Sequence, residues 1–267
     1  MPDPRPIGLF DSGVGGLSVL REVRRLLPNE PLIYYADEGH VPYGPRSRDE
    51  IRGFAFSIAR FLIRQRCKLL VIACNAANAA ALHALRTMYP DLPIVGMEPA
   101  IKPAVEATRT GVIGVITTQV TYQGELFASV IDRFAQHIRV ETQICPDLVL
   151  LAERGALDTP DSRAIVAHYL APLRTAGIDQ LVLGCTHFPF LIPQFRDYLG
   201  DGVGIIDPAP AVARQVARVL TAHDLSAADA SHTPPIYYSS GDPEHLRVLI
   251  GQLIGDHDAQ VHAAPLS

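Results

Sequence analysis

Short apolar runs ending in a polar or small residue alternate with helical-period segments along the whole chain, and this alternation most constrains the fold. It predicts an α/β protein with parallel sheets and helices on both faces. The expected strands are 7–10, 32–36, 68–73, 94–96, 111–116, 138–144, 179–184, 204–206 and 236–239. Helices are expected over 17–27, 47–66, from Cys74 to Met88, from the 117–121 turn through Ala135, over 162–176, over 209–220, and after Pro243 through Ile254. Ser47 with Glu50 three residues on is a capping box for the second helix. The stretch 222–235 is small, polar and Pro-ended, so a surface linker is expected there, and the tail after Gly255 is expected to fray.

In sheets of this kind ligands collect beyond the carboxyl ends of the strands. The polar residues of this chain gather at those positions: Asp11-Ser12, Asp37, Tyr43-Gly44, Cys74-Asn75, the turn from Thr118 to Thr121, and Cys185-Thr186-His187. That placement points to a site at the sheet ends.

Composition narrows the function classes. Hydrophobic residues make up 48% of 267 and charged residues 19%, enough apolar material for a sizeable core. No apolar run approaches the length of a membrane span, and the N-terminus lacks the basic-then-apolar layout of a signal peptide. A cytoplasmic protein is expected. The net charge of −5 and the absence of a basic block argue against a nucleic-acid surface. Four cysteines with no CxxC spacing do not form a disulfide scaffold, and free thiols are expected.

The turn Asp11-Ser12-Gly13-Val14-Gly15-Gly16 is not G-x-G-x-x-G, and no P-loop lysine follows it. It reads either as a tight strand-to-helix turn that needs glycine for steric room, or as a carboxylate at the mouth of a site beside a helix N-terminus. Cys67 and Cys145 read as inert buried thiols. Cys74 and Cys185, 111 residues apart, each follow a buried strand and precede hydrogen-bonding residues. A thiol there can lie over a helix N-terminus, whose dipole lowers its pKa. His187, two residues after Cys185, can exchange a proton with it. Cys185 and His187 lack the further ligands in recognisable spacing that a metal site needs, so no metal is expected. A Cys-His hydrolase would leave the second thiol unexplained. Asp11, Glu98 and Glu153 would ordinarily be solvated carboxylates, Asp11 least so.

Taken together, GLFDSGVGGLSVLRE, YYADEGHVPYGPRS, VIACNAANAAAL, LVLGCTHFPFL and YYSSGDPEHL resemble the glutamate racemases of the cofactor-independent aspartate/glutamate racemase superfamily, over nearly the whole chain. The resemblance implies two α/β lobes related by a pseudo-twofold, with the site between them. One lobe would be discontinuous, 1–98 plus 208–267, and the other 99–207. It implies racemisation of glutamate by two thiols acting on opposite faces of Cα, with no cofactor, to supply D-glutamate for peptidoglycan. Cys74 would act on the D-enantiomer with help from Asp11, and Cys185 on the L-enantiomer with help from Glu153 and His187. Substrate would be held by Asp11, Ser12, Tyr43, Gly44, Asn75, Ala76, Thr118, Thr121, Thr186 and His187. The implied partner is a small-molecule amino acid; neither nucleic acid nor membrane is implied, and a homodimer is compatible with the family.

The chain departs from the family pattern at four positions. Ala76 stands where Thr is usual, Asn78 where Ser is usual, Glu38 where a small hydroxyl residue is usual, and Phe188 where Tyr is common. Ala76 removes a substrate-facing hydroxyl, worth ~0.5–1.5 kcal/mol for one hydrogen bond. It keeps four alternatives open: a weaker enzyme, a backbone group in place of the hydroxyl, a racemase of aspartate or another amino acid, and a non-catalytic amino-acid-binding regulator.

Overall fold

The computed structural model describes residues 2–227 and 233–266. The chain begins β1 (Ile7–Asp11), α1 (Leu17–Leu26), β2 (Leu32–Ala36), α2 (Arg48–Arg64), β3 (Leu69–Ile72), α3 (Asn75–Met88) and β4 (Ile94–Val95). It continues α4 (Ile101–Ala107), β5 (Val112–Thr117), α5 (Gln119–Tyr122), α6 (Glu125–Phe134), β6 (Arg139–Ile144), α7 (Pro146–Glu153), α8 (Pro160–Thr175) and β7 (Gln180–Gly184). After a 3₁₀ turn at Phe188–Leu191 come α9 (Ile192–Leu199), β8 (Gly204–Ile206), α10 (Ala209–Ala222), β9 (Ile236–Ser239), α11 (Pro243–Ile254) and β10 (Gln260–Ala263).

Two parallel sheets result. One has six strands in the order β10-β9-β2-β1-β3-β4, and the other four in the order β6-β5-β7-β8. The inner strands β1, β2, β3, β5 and β7 are buried on both faces, which is why they read as continuous apolar runs. In the larger sheet the period-2 alternation sends Leu9, Tyr34, Leu69 and Val71 into the core packed by α1, α10 and α11. Phe10, Ile33, Tyr35, Leu70 and Ile72 face the core of α2 and α3 instead. In the smaller sheet Ile116, Leu181 and Leu183 take one side, and Ile113, Val115 and Val182 the other.

Strand direction reverses its lateral progress at β1, which lies between β2 and β3, and at β5, which lies between β6 and β7. Such switch points open a crevice beyond the strand carboxyl ends. Asp11 and Cys74 stand at the first, and Thr117, Thr118 and Cys185 at the second.

The capping box at Ser47 is formed: Ser47 Oγ accepts the Glu50 N–H at 3.3 Å, and Glu50 Oε2 accepts the Ser47 N–H at 2.9 Å. The single helix expected to end at Ala135 is two, α5 and α6, parted at Gly124, whose added Cβ would meet the Ala79 side chain at 3.1 Å. The tail after Gly255 does not fray. It forms β10, paired in parallel with β9, and the Tyr35 hydroxyl donates to the Ala264 carbonyl. The expected linker 222–235 includes residues 228–232, which lie outside the described residues. Among the described residues no helix is long and apolar enough to cross a membrane.

Asn78 does not face a ligand. Its amide clamps the backbone of Met97 after β4, donating to the carbonyl at 2.7 Å and accepting the N–H at 3.1 Å. Asn78→Ala would strand both buried backbone groups, and unmade bonds of this kind cost ~1–3 kcal/mol each. We expect a lower urea midpoint at unchanged m-value, a loss of about 2–6 kcal/mol.

Candidate active site

β3 ends by delivering Cys74 as the N-cap of α3, where its Sγ accepts the Ala77 N–H at 3.5 Å. The thiol also faces Ser12 Oγ at 3.9 Å. The helix end favours a thiolate, but the surroundings outweigh it. Burial and the adjacent Asp11 carboxylate push the Cys74 thiol well above its ordinary pKa. Cys74 is therefore held as a thiol in the resting site.

Cys185 has a different environment. The turn that follows it is 3₁₀ rather than the start of an α-helix, so no full helix dipole points at its sulfur. Its partner is His187, whose Nδ1 lies 3.5 Å from Sγ. The other ring nitrogen, Nε2, is 2.5 Å from Glu153 Oε1. Burial pulls His187 down, yet the sulfur of Cys185 and the carboxylate of Glu153 together lift it well above the ordinary histidine value. The His187 ring thus bridges the Cys185 sulfur and the Glu153 carboxylate.

The glycine turn after β1 explains how the two sheets meet. Glu153 Oε1 also accepts the Val14 N–H at 3.0 Å, and Thr186 Oγ1 donates to Asp11 Oδ2 at 3.0 Å. A Cβ on Gly13 would sit 2.0 Å from Glu153 Oε1, and one on Gly15 would sit 2.4 Å from His187 Nδ1. The tight-turn reading holds; the carboxylate of Asp11 lies behind the cavity rather than at its mouth. The crowding that Gly13 and Gly15 relieve comes from Glu153 at the end of α7 and from Thr186 and His187 in the turn after β7.

Asp11 is fully buried, with Oδ1 accepting the Ser12 N–H at 2.6 Å and the Ser12 hydroxyl at 3.2 Å. Burial raises its pKa, while His187 and the Cys74 thiol oppose the rise. Thr118 and Thr121 hydroxyls are 3.1 Å apart and fix each other. Glu98, by contrast, is exposed. Among the described residues no three His, Cys, Asp or Glu side chains are grouped to hold a metal.

A cavity of about 470 Å³ lies where these groups converge, within the size range of small-molecule sites. Both thiols line it, one from each sheet, with Ser12, Tyr43, Gly44, Asn75, Ala76, Thr118, Thr186 and His187. Asp11, Glu153 and Thr121 stand behind that lining rather than in it. Asn75 is 5% exposed, and its Oδ1 is buried with no partner, an acceptor aimed at a donor the protein does not supply. Sequence reasoning missed the apolar wall of Ile144, Pro146, Val149 and Leu150, as well as Gln119. The available signal for the wall was Pro146 followed by Asp147, a proline at the first helical position with an acidic first turn.

Glu38 lies behind the site on the β9 side. Ser239 Oγ donates to its Oε2 at 2.8 Å, and its Oε1 is buried without a partner. Burial, opposed by the Ser239 bond, pushes the carboxyl up to about 7. A folded-state pKa above the unfolded one favours the neutral form, so this contribution is present below about 4.5 and is lost as pH rises through about 7. Glu38→Gln is expected to match the parent in urea stability at pH 5 and exceed it at pH 8.

The sequence profile of the Asp/Glu/hydantoin racemase family matches residues 7–216. The chain is 51% identical to the glutamate racemase of Ectopseudomonas mendocina over 257 residues, 96% of this chain and 97% of that protein. Its structure superposes on glutamate racemase from Francisella tularensis in complex with D-glutamate at a TM-score of 0.86, with 29% identity, covering 99% of each chain. It superposes on Escherichia coli glutamate racemase in complex with L-glutamate and activator UDP-MurNAc-ala at a TM-score of 0.85, with 35% identity, covering 99% of this chain and 100% of the other.

Proposed function

The chain belongs to the Asp/Glu/hydantoin racemase family, and from that premise we propose that its two thiols form a two-base pair acting on glutamate bound in the cavity between the sheets. The reaction is the interconversion of L- and D-glutamate, a cofactor-independent isomerisation that supplies D-glutamate for peptidoglycan. We read the lobes as 1–98 plus 208–267 and 99–207, since the first set of residues holds every strand of the larger sheet and the second every strand of the smaller. The setting is the cytoplasm, where soluble cell-wall precursors are made.

The observation that carries this reading is that one cavity is lined by a thiol from each sheet, each backed by its own acid–base partner. Racemisation takes a proton from one face of Cα and returns one to the other, so two groups must flank the carbon. In the L-to-D direction Cys185, relayed by His187 and Glu153, takes the Cα proton. Cys74, held as a thiol beside Asp11, gives its proton to the opposite face. In the D-to-L direction the roles exchange. For the L-to-D direction, Cys74, held as a thiol, is already in the form needed.

The carbanionic intermediate needs charge stabilisation at the α-carboxylate, which preorganised donors in a water-poor cavity provide. The Asn75 amide and the backbone N–H groups at the start of α3 are of the right type. The unpartnered Asn75 Oδ1 suits the α-ammonium of the substrate. Acid, base and donors are all protein groups, so the reaction as read here uses no cofactor and no metal.

Circular dichroism of an L-glutamate solution should decay to zero with enzyme present. L-aspartate, shorter by one methylene, should turn over ~10–200-fold less efficiently. No loss of signal with glutamate, or equal efficiency with aspartate, would overturn the assignment.

A further inference from the structure

We propose that Asp37 is a positioning residue, holding the loop that carries Tyr43 and Gly44 against the substrate cavity. Asp37 follows β2 and is fully buried, yet it does not line the cavity. Its carboxylate collects three side-chain donors. Oδ1 accepts from the Ser240 hydroxyl at 2.6 Å and from His40 Nδ1 at 2.8 Å, and Oδ2 accepts the Tyr43 hydroxyl at 2.5 Å. A carboxylate buried this deeply persists only when such donors satisfy it.

The network joins three parts of the larger sheet's lobe. Asp37 is tied to the end of β1 through its N–H, which donates to the Asp11 carbonyl at 3.0 Å. Ser240, in the turn after β9, also accepts the Gly39 N–H at 2.9 Å. The loop then closes on itself: His40 N–H donates to the Asp37 carbonyl at 3.0 Å, and Arg46 Nε donates to the His40 carbonyl at 2.6 Å. On its outer side His40 stacks on Phe54 of α2, with ring centroids 4.1 Å apart. A carboxylate at the centre thus anchors His40 and Tyr43 of the loop to Ser240 of the turn after β9.

This arrangement refines the role of Tyr43. The side chain is 2% exposed, and its hydroxyl is spent on Asp37. Burial and the neighbouring carboxylate keep the phenol neutral, so it remains a donor. Tyr43 therefore meets the substrate with its ring and backbone, and its hydroxyl sets where the ring stands. Gly44, next in the chain, inherits its place from the same bond; an added Cβ there would meet Thr118 of the opposite sheet at 3.8 Å. Asp37 acts on substrate binding through this loop and takes no part in moving protons at Cα.

The inference rests on the reading that the cavity binds glutamate, and the experiment separates the two. Parent enzyme, Asp37→Asn, Tyr43→Phe and the double variant are assayed with both enantiomers, with thermal unfolding in parallel. Asp37→Asn turns one acceptor into a donor facing donors, so KM should rise about tenfold for both L- and D-glutamate with kcat within about threefold. Tyr43→Phe leaves Oδ1 held by Ser240 and His40 but takes the donor from Oδ2, so it loosens the loop at that one bond and should raise KM in the same sense. Because both act through one bond, the double variant should be no worse than the poorer single. A fall in kcat at unchanged KM would make Asp37 part of proton transfer and overturn the proposal. Unchanged KM in Tyr43→Phe, or full additivity in the double variant, would also overturn it. A parent enzyme inert toward glutamate would instead refute the glutamate reading.

Discussion

In Cys74→Ala, glutamate is expected no longer to change hand, while L-glutamate should still exchange its Cα hydrogen with solvent; in Cys185→Ala, the surviving exchange should be on D-glutamate. Each variant keeps one base on one face of the cavity and loses the acid on the other. A single thiol can remove a proton and return a solvent-derived one to the same face, which exchanges without inverting. Losing a positioned acid or base costs on the order of 10²–10⁴-fold, so inversion should fall by at least that factor in both variants. Chiral chromatography measures inversion, and proton NMR in D2O measures exchange. The asymmetry matters more than the loss. Exchange of the same enantiomer in both variants would mean that the thiols do not flank Cα.

The second large effect is expected from a change that removes nothing. Gly13→Ala would place a methyl 2.0 Å from Glu153 Oε1, and Gly15→Ala would place one 2.4 Å from His187 Nδ1 and 2.6 Å from Thr186 Oγ1. Neither glycine has a positive φ, so alanine is compatible with the backbone at both. The cost falls on the side chains opposite. Glu153 can swing its carboxylate aside at small expense to the fold, but doing so breaks its bonds to His187 and to the Val14 N–H. Displacements of about 1 Å at a reacting group cost ~10²-fold, and turnover should fall by that order in each variant. Cooperative thermal unfolding should persist. Exchange from L-glutamate, which depends on Cys185, should suffer more than exchange from D-glutamate. Gly13→Ala with full activity would mean that the contact between the turn and Glu153 is irrelevant to the chemistry.

The elements legible in the sequence are those whose signals are local. Leu32–Ala36, Gly204–Ile206 and Ile236–Ser239 are strands over the bounds that their apolar runs mark. Ser47 caps α2 as its spacing with Glu50 predicts. Cys74 and Cys185 stand at strand ends because the runs before them are buried on both sheet faces. What stayed hidden depends on distant partners. β10 is four residues long and mostly exposed, and only its pairing with β9 makes it a strand. The helix α7 begins at Pro146, which reads as the break ending β6 although proline is suited to the first helical turn. That helix supplies both an apolar wall of the cavity and Glu153. The purpose of Gly13 and Gly15 is set by residues more than a hundred positions away. Asp37 becomes the centre of a network only because Ser240, 203 positions on, folds beside it.

Ala76 lines the cavity at 6% exposure and offers no hydroxyl. On the proposed reading, the donors left to hold the α-carboxylate are the backbone at the head of α3 and the Asn75 amide. A weaker hold on substrate is the expected consequence, with the proton-transfer pair unaffected. Asn78, the other polar residue in that turn, cannot compensate, because its amide is committed to Met97.

The two-thiol account is tested most directly by the isotopic content of each enantiomer at the start of turnover in D2O. L-glutamate carrying protium at Cα is incubated with the parent enzyme, and the enantiomers are separated before a tenth has reacted. Two flanking thiols predict that the D-glutamate formed carries deuterium at Cα, delivered by Cys74, while the remaining L-glutamate keeps its protium. D-glutamate that retains the original protium would mean that one group carries the proton from face to face, and would contradict the account.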